Sequence, residues 1–207
     1  MIDIINYGVG NIRSIENAFR DVSDSVRICN QVDEIRESAK VVLPGVGAFG
    51  PGIAKLRERG WEIEVIKYYR EHRPVLGICL GLQLLQKQSL ENGTHAGLQI
   101  FNSEVHGFKE LNQKVSVPNI GWRKITNNSA STLLSDINES DAFYFLHSYY
   151  CEINKETTIS TSFHGVEFAS IDKKGSFVGV QFHPEKSSKS GFKFISNFIN
   201  WNPSQDD

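Results

Sequence analysis

The sequence predicts an α/β fold built on a mainly parallel sheet with helices on both faces. In the first half of the 207-residue chain, short apolar runs bounded by Gly, Pro or Asn alternate with segments of helical periodicity. This alternation is typical of a parallel sheet that is covered on both sides. After about residue 97 the pattern changes to strand-like segments joined by turns, which predicts added antiparallel strands in the second half. Hydrophobic residues make up 40% of the chain, which is enough to fill a core.

The predicted elements follow one another in a regular order. Buried strands are predicted at 2–5, 26–29, 40–43 and 74–78. Helices are predicted at 11–22, 51–59, 62–69 and 80–88. The second half is predicted to contain strands at 103–108, 142–151, 159–163, 166–171 and 176–182, and then a closing helix at 191–201. Because no linker or internal repeat divides the chain, we expect a single domain over 1–201 and a frayed tail over 202–207.

Charge and cysteine content exclude several classes of function. The formal net charge of −2 gives no general attraction to nucleic acid or to anionic lipid, so neither is expected as a partner. The three cysteines do not make a disulfide framework, which favours a reducing compartment. The first residues lack the features of a secretory signal, and no window approaches a membrane-spanning apolar run. We therefore expect a cytoplasmic protein.

One segment, Gly77-Ile78-Cys79-Leu80-Gly81, lies where a predicted strand turns into a predicted helix. Flanking glycines allow a tight turn that exposes the central side chain, as in a nucleophile elbow, and the start of the helix supplies backbone N–H groups. We interpret Cys79 as a candidate nucleophile. The alternative is that Cys79 is a small buried hydrophobic residue, as we expect for Cys29 and Cys151.

A cysteine nucleophile needs a base, and His183 is the best placed of the six histidines because it ends a predicted strand. Side chains at the carboxyl ends of parallel strands meet in one crevice, so His183 and Cys79 are able to converge. Glu185 follows two residues later and is suited to hold the imidazole in one tautomer. The alternative for His183 is a structural histidine at a strand end.

A glycine-rich loop, Pro44-Gly45-Val46-Gly47-Ala48-Phe49-Gly50, follows another predicted strand. Its glycines spell G-x-G-x-x-G, but the match lies outside the first strand–helix unit and no acidic residue ends a strand some twenty residues on, so dinucleotide binding is disfavoured. The same glycines fit a loop whose backbone N–H groups face a developing oxyanion, or a flexible turn. The histidines lack metal-ligand spacing, so neither a metal nor another cofactor is expected.

Three ordered motifs resemble those of triad-type (class I) glutamine amidotransferase domains: Pro44-Gly45-Val46-Gly47, Gly77-Ile78-Cys79-Leu80-Gly81-Leu82-Gln83 and His183-Pro184-Glu185-Lys186-Ser187. Four further segments resemble, more narrowly, the glutaminase subunits of imidazole glycerol phosphate synthase: Tyr7-Gly8-Val9-Gly10-Asn11, Val117-Pro118-Asn119-Ile120-Gly121-Trp122, Tyr144-Phe145-Leu146-His147-Ser148-Tyr149 and Val178-Gly179-Val180-Gln181-Phe182-His183. The resemblance covers nearly the whole chain except the C-terminal tail. It implies a flavodoxin-like three-layer α/β/α fold and hydrolysis of L-glutamine to glutamate and ammonia. It also implies a heterodimer with a (β/α)8-barrel synthase (cyclase) subunit that makes imidazole glycerol phosphate and AICAR in histidine biosynthesis.

The same resemblance implies roles for individual residues. Cys79 attacks the glutamine amide and forms a glutamyl thioester, His183 moves the proton, and Glu185 orients His183. The resemblance also implies the oxyanion hole and the substrate and interface positions. Backbone N–H groups of Val46 and Leu80 form the oxyanion hole, Gly45, Gly47, Gln83, Glu91, Ser148 and Tyr149 contact substrate, and Asn11, Asn119 and Trp122 lie near the subunit interface.

Two positions depart from the family pattern. Asn6 stands where an acidic residue is common, and Asn119 where a histidine is common. These departures leave open a second function, that of a paralogous glutaminase which supplies ammonia to a sugar amidotransferase of surface polysaccharides.

Two other classes of function are less favoured. A stand-alone cysteine hydrolase would share the elbow and the histidine, but this function accounts for neither Gln83 nor the His-Pro-Glu-Lys-Ser run. A non-catalytic module has no need of an intact triad.

Overall fold

The computed structural model describes residues 1–37, 39–111 and 114–206. Its secondary structure begins with the predicted alternation of strands and helices and then becomes strand-rich. The strands are β1 (Ile2–Ile5), β2 (Val26–Cys29), β3 (Lys40–Leu43), β4 (Val75–Ile78), β5 (Gln88–Ser89), β6 (His95–Ala96), β7 (Glu104–Gly107), β8 (Asn119–Lys124), β9 (Thr126–Asn127), β10 (Ala142–His147), β11 (Tyr149–Cys151), β12 (Thr158–Phe163), β13 (Glu167–Lys174) and β14 (Phe177–Val180). The helices are α1 (Ile12–Arg20), α2 (Phe49–Glu58), α3 (Trp61–Arg70), α4 (Leu80–Leu85) and α5 (Ser188–Asn200).

An eight-stranded sheet with the order β2-β1-β3-β4-β14-β13-β12-β9 forms the centre of the molecule. Neighbours from β2 to β14 run parallel, and those from β14 to β9 run antiparallel. The parallel part has the strand order of doubly wound folds, in which ligands bind beyond the carboxyl ends of the strands. A four-stranded sheet, β11-β7-β5-β6, and a two-stranded sheet, β10-β8, lie beside it. The predicted mainly parallel sheet with antiparallel additions is therefore confirmed.

The parallel strands carry apolar side chains on both faces, and each face is covered. On one face Ile4 and Ile78 pack in a cluster with Phe19 of α1 and Phe194 of α5. On the other face a second cluster contains side chains of α2, α3 and α4, among them Trp61. The two clusters make the three layers, because successive side chains of a strand point to opposite faces of the sheet.

Two predicted elements have different bounds in the structure. The helix predicted at 80–88 ends at Leu85, because Gln86 is extended (ψ 172°) and Gln88–Ser89 forms β5 beside β7. The strand predicted at 142–151 is broken after His147: β10 pairs with β8, whereas β11 pairs with β7 in another sheet. The second break lies against the site described below, because His147, Ser148 and Tyr149 line its pocket.

The prediction of a frayed tail is wrong for residues 202–206. The Asp206 carboxylate accepts hydrogen bonds from Thr132 N (2.7 Å) and from Trp201 Nε1 (3.1 Å), which docks this segment on the body of the protein. Asp207 lies outside the described residues.

The single domain over 1–201 stays a prediction. No helix among the described residues is long and apolar enough to span a membrane.

Candidate active site

Cys79 occupies a strained turn between β4 and α4. Its φ of 53° lies in a region that side chains other than glycine rarely adopt, as expected of a nucleophile elbow. The Cys79 N–H donates to the Val180 carbonyl (2.8 Å), which ties the turn to β14. A Cβ on Gly81 would overlap the Leu43 carbonyl oxygen, and one on Gly77 would lie 2.8 Å from the Gly81 backbone. The two flanking glycines are therefore required by the close approach of the backbone.

His183 follows β14 at the same edge of the sheet. Its backbone N–H donates to the Tyr144 carbonyl (2.8 Å), and its ring Nδ1 lies 2.8 Å from Oε1 of Glu185. The carboxylate accepts, so Nδ1 carries the proton and Nε2 is the free ring nitrogen. Nε2 is buried without a hydrogen-bond partner among the described residues. The imidazole is thus held in one orientation, with one nitrogen left to exchange a proton.

The charges around His183 favour its protonated form. Burial opposes the imidazolium, but the negative charge of a Cys79 thiolate and the Glu185 carboxylate outweigh burial and raise the pKa of His183 to about 10. Only 2% of each side chain of the His183–Glu185 pair is exposed, so bulk water screens the interaction little. The site therefore stabilises the imidazolium that forms when His183 accepts a proton.

Cys79 and His183 open into one pocket of about 320 Å³. Seven other residues predicted for the site line it: Val46, Gly47, Leu80, Gln83, Glu91, Ser148 and Tyr149. The pocket wall is completed by three residues that were not predicted to bind substrate: Pro118, Leu146 and His147. Gly45 and Glu185 do not line the pocket.

The glycine-rich loop reaches the pocket from the end of β3. The Leu80 N–H donates to the Gly45 carbonyl (3.3 Å), so in this structure one of the two predicted oxyanion donors is engaged. Gly47 has a φ of 102° and open space around it. The buried Tyr7 hydroxyl donates to the Pro44 carbonyl (2.9 Å) and fixes the base of the loop. Tyr7 is not among the predicted site residues, although it begins one of the family-like motifs.

The polar side chains in the pocket offer mainly oxygen acceptors. Oε2 of Glu91 accepts from the Phe49 N–H (2.7 Å) at the start of α2, which fixes its position. Nε2 of Gln83 donates to the Tyr149 carbonyl (3.0 Å) and to Oε1 of Gln181 (3.1 Å). Because both amide hydrogens are used, the remaining polar atom of Gln83 is an acceptor. Acceptors of this kind suit N–H groups of a substrate.

Gln181 is a further site residue that the sequence prediction missed. It is fully buried, and its Nε2 lies 3.7 Å from Cys79 Sγ. Its position two residues before His183 could have indicated this role, because side chains two residues apart in a strand point to the same face.

The predicted interface residues differ in exposure. Asn11 and Trp122 are exposed, whereas Asn119 is fully buried. Nδ2 of Asn119 donates to Nε2 of His147 (2.9 Å), and Nδ1 of His147 donates to the Tyr149 carbonyl (2.8 Å). Burial lowers the pKa of His147 to about 3, so this histidine is neutral. Asn119 therefore connects β8 to the pocket wall.

The model of the glutamine amidotransferase class-I family matches residues 3–201 of the chain. The chain belongs to this family. This membership confirms the predicted family, and with it a glutamine-hydrolysing enzyme.

Within this family, the chain is similar over nearly its full length to three subunits that share one name. The chain is 38% identical to imidazole glycerol phosphate synthase subunit HisH of Caldanaerobacter subterraneus over 96% of this chain and 97% of the relative. It is 40% identical to subunit HisH 2 of Methanococcus maripaludis over 96% and 98% of the two chains. It is 37% identical to subunit HisH of Archaeoglobus fulgidus over 97% and 98%.

Solved structures support the fold. A crystal structure of a glutamine amidotransferase superposes with a TM-score of 0.73 at 15% identity, covering 97% of this chain and 100% of the other. A glutamine amidotransferase from Thermotoga maritima gives a TM-score of 0.64 at 18% identity over 99% and 86% of the two chains. The predicted flavodoxin-like α/β/α class agrees with these neighbours.

Proposed function

We propose that the chain is the glutaminase subunit of an imidazole glycerol phosphate synthase. In this proposal it hydrolyses L-glutamine at Cys79 and passes ammonia to a (β/α)8-barrel synthase subunit in histidine biosynthesis. The observation that carries it is the convergence of a strained Cys79 and an oriented His183–Glu185 pair on one pocket. The near full-length similarity to HisH subunits supports the choice of pathway. We also place the protein in the cytoplasm, which agrees with its three free cysteines.

The chemistry follows from the positions of the reacting groups. Nε2 of His183 takes the thiol proton, and Cys79 Sγ bonds to the amide carbon of glutamine. The imidazolium gives that proton to the leaving nitrogen, the C–N bond breaks, and ammonia departs from a glutamyl thioester. His183 then deprotonates a water that adds to the thioester carbon. The C–S bond breaks, glutamate leaves, and the proton returns to sulfur.

The oxyanion hole is completed by a rotation of one peptide. The Gly45 carbonyl accepts from Leu80 N–H, and the same peptide unit carries Val46 N–H. Turning this peptide over frees Leu80 N–H and brings Val46 N–H to the same side. The rotation changes ψ of Gly45 and φ of Val46, and Gly45 and the following Gly47 restrict the backbone of the loop little. Each donor of such a hole is typically worth about 10²- to 10³-fold in turnover.

Gly47→Ala tests this rotation. Alanine is strained at a φ of 102°, so the substitution restricts the conformations that the loop adopts around the rotating peptide. We expect glutamine turnover to fall by about 10- to 100-fold, while iodoacetamide labels Cys79 at the wild-type rate because alkylation builds no oxyanion. Equal losses in both assays would place the defect at the thiol instead.

The partner is proposed to dock on the exposed face of the β8–β10 sheet. Ile120 pairs with Leu146, and Trp122 pairs with Tyr144, so these four side chains share one face. Ile120 and Trp122 are 54% and 53% exposed. Leu146 also lines the pocket, so the apolar face borders the place where ammonia is released. Apolar and aromatic side chains of this kind are typical of the centre of a protein interface.

Glutamate release from glutamine tests the function. We expect release by the chain to rise when the barrel synthase subunit and its nucleotide substrate are added. Cys79→Ala should abolish glutamine-dependent product formation by the complex but leave ammonia-dependent formation intact. Glutamine-dependent turnover by Cys79→Ala would refute the nucleophile. Absence of stimulation, with Cys79 still alkylated by a glutamine-like electrophile, would point to a different synthase.

A matched pair of isoleucines tests the docking face. Ile120→Ala should weaken binding of the synthase subunit, measured by calorimetry. Ile63→Ala serves as the control, because Ile63 is 75% exposed on α3 and is not part of the β8–β10 face. Trp122→Ala should weaken binding more, by about 30-fold or more, as expected for a buried aromatic anchor. Equal affinities for the wild type and both of these face variants would exclude the surface.

A further inference from the structure

The orientation of two buried amides is set by a backbone carbonyl. The Tyr149 carbonyl can only accept, so the Gln83 atom 3.0 Å from it is the Nε2 donor. The second hydrogen of the same Nε2 points to Gln181, at 3.1 Å, and so meets its Oε1. Nε2 of Gln181 is then the atom that lies 3.7 Å from Cys79 Sγ. A carbonyl that cannot rotate thus directs an N–H group at the sulfur.

If either the Gln83 or the Gln181 amide were turned over, donors would face donors or acceptors would face acceptors. Turning Gln83 over would set its Oε1 against the Tyr149 carbonyl oxygen. Turning Gln181 over would set two amide donors against each other and an oxygen against the sulfur. Both amides are buried, at 5% and 0% exposure, so water cannot compensate for these mismatches.

Strand register explains why Gln181 reaches the nucleophile. Val180 of β14 is paired with Ile78 of β4, so the residues that follow them, Gln181 and Cys79, emerge side by side at the sheet edge. The Gln181 N–H donates to Ser170 O (2.9 Å) and fixes the backbone there. The Leu146 carbonyl, 3.8 Å from the sulfur, is an acceptor and so cannot stabilise the thiolate.

We propose that Gln181 is a catalytic residue whose Nε2–H donates to the Cys79 sulfur and stabilises the thiolate. The proposal rests on the role of Cys79 as nucleophile given above. The Gln181 donor suits the thiolate that is left when His183 takes the thiol proton. A hydrogen bond to an ionised group is stronger than one to a neutral group, so the contact favours the reactive form.

Alkylation of Cys79 by iodoacetamide tests the proposal without glutamine. The full chain is labelled at pH 7 and the modified peptide is quantified by mass spectrometry, which separates Cys79 from the buried Cys29 and Cys151. The rate follows the thiolate fraction. We expect Gln181→Met, which keeps the size but removes the donor, to slow labelling by about tenfold. Gln181→Glu should slow it further, because a carboxylate repels the thiolate.

Controls separate this effect from misfolding and from failure of the proposed function. Gln88→Met removes a glutamine amide on β5 that bonds to Glu104 and should leave labelling unchanged. Near-wild-type thermal unfolding is required of each variant. If wild-type chain fully alkylated at Cys79 still hydrolyses glutamine, the proposed function is wrong. If alkylation stops hydrolysis but Gln181→Met labels at the wild-type rate, only the role of Gln181 is wrong.

A measurement on the wild type covers the case in which both variants unfold. With ¹⁵N-glutamine labelling, the side-chain amide signal of Gln181 should move with pH as Cys79 ionises, and this movement should disappear in Cys79→Ala. A Gln181 signal that does not respond to Cys79 would overturn the proposal.

Discussion

Asp172 is a carboxylate in the middle of the sheet, and replacing it by asparagine should stabilise the protein at alkaline pH. The side chain is fully buried on β13. Oδ1 accepts from the Thr158 hydroxyl (2.7 Å), and Oδ2 accepts from Nε2 of Gln86 (2.8 Å). Both donors are neutral, so they offset only part of the cost of burying a charge. Burial accordingly raises the pKa of Asp172 from 3.8 to about 6.

The size of the effect follows from this pKa. The unfolded chain ionises near pH 3.8 and the native chain near 6, so the native state loses stability as pH rises between these values. At about 1.4 kcal/mol per pKa unit, the loss above pH 6 is up to ~3 kcal/mol. Asp172→Asn cannot ionise, and if the Gln86 amide turns over, the new amide donates to Oε1 of Gln86, which is buried without a partner among the described residues. For a chain of this length, ~3 kcal/mol corresponds to about 6–12 °C in Tm.

Thermal and urea unfolding at pH 4 and pH 8 would measure it. We expect Asp172→Asn to exceed the wild type in free energy of unfolding by ~3 kcal/mol at pH 8 and by much less at pH 4, where the carboxyl is neutral in the native state and about half ionised in the unfolded state. Asp24→Asn makes the same charge change at an exposed position and should show no such pH dependence. A gain of the same size at both pH values, or a loss at pH 8, would refute the assignment of the cost to the buried charge.

Three further predictions concern the site. Glu185→Gln should lower glutamine turnover by roughly 10²- to 10⁴-fold, because the imidazole loses the carboxylate that orients it, and the pKa of His183, followed by NMR, should fall. Gly81→Ala should prevent formation of the elbow and lower both Tm and Cys79 labelling, since the added Cβ meets a carbonyl of β3. Asn119→Asp should raise the pKa of His147 from about 3, because a carboxylate oxygen would replace the amide donor at Nε2. Turnover would then acquire a pH dependence, from His147, that the wild type lacks. An unchanged NMR titration of His147 in this variant would contradict the prediction.

The first half of the fold could be predicted closely from sequence, because continuous apolar runs bounded by Gly, Pro or Asn mark buried parallel strands. β1, β2 and β3 have the predicted bounds. The break between β10 and β11 could not be predicted in this way. It depends on contacts from distant segments: the Phe108 N–H donates to the Ser148 carbonyl (3.1 Å), and each strand pairs with a different sheet. The strands β5, β6 and β9 have two residues each, too short to give a periodic pattern.

The predicted pocket residues came together because their motifs lie at strand ends. The hydrogen bonds among them were beyond prediction, because they join residues far apart in sequence. Gln83 and Gln181 are 98 residues apart, yet their amides pair at 3.1 Å. The docked tail was missed for the same reason, since Asp206 bonds to Thr132, 74 residues away.

The Tyr149 carbonyl joins the two halves of the site. It accepts from Nδ1 of His147 (2.8 Å) and from Nε2 of Gln83 (3.0 Å), so both lone pairs are used. From His147 the hydrogen bonds lead to Asn119 on β8, whose neighbours Ile120 and Trp122 are exposed. From Gln83 they lead through Gln181 to the nucleophile. Each group in this series has one permitted orientation. Reversing the Gln83 or the Gln181 amide, or moving the His147 proton to the other ring nitrogen, would place donor against donor or acceptor against acceptor. The strand break that defines β10 and β11 is therefore what lets a single carbonyl orient the nucleophile's hydrogen-bond donor and fix the pocket wall behind the apolar face.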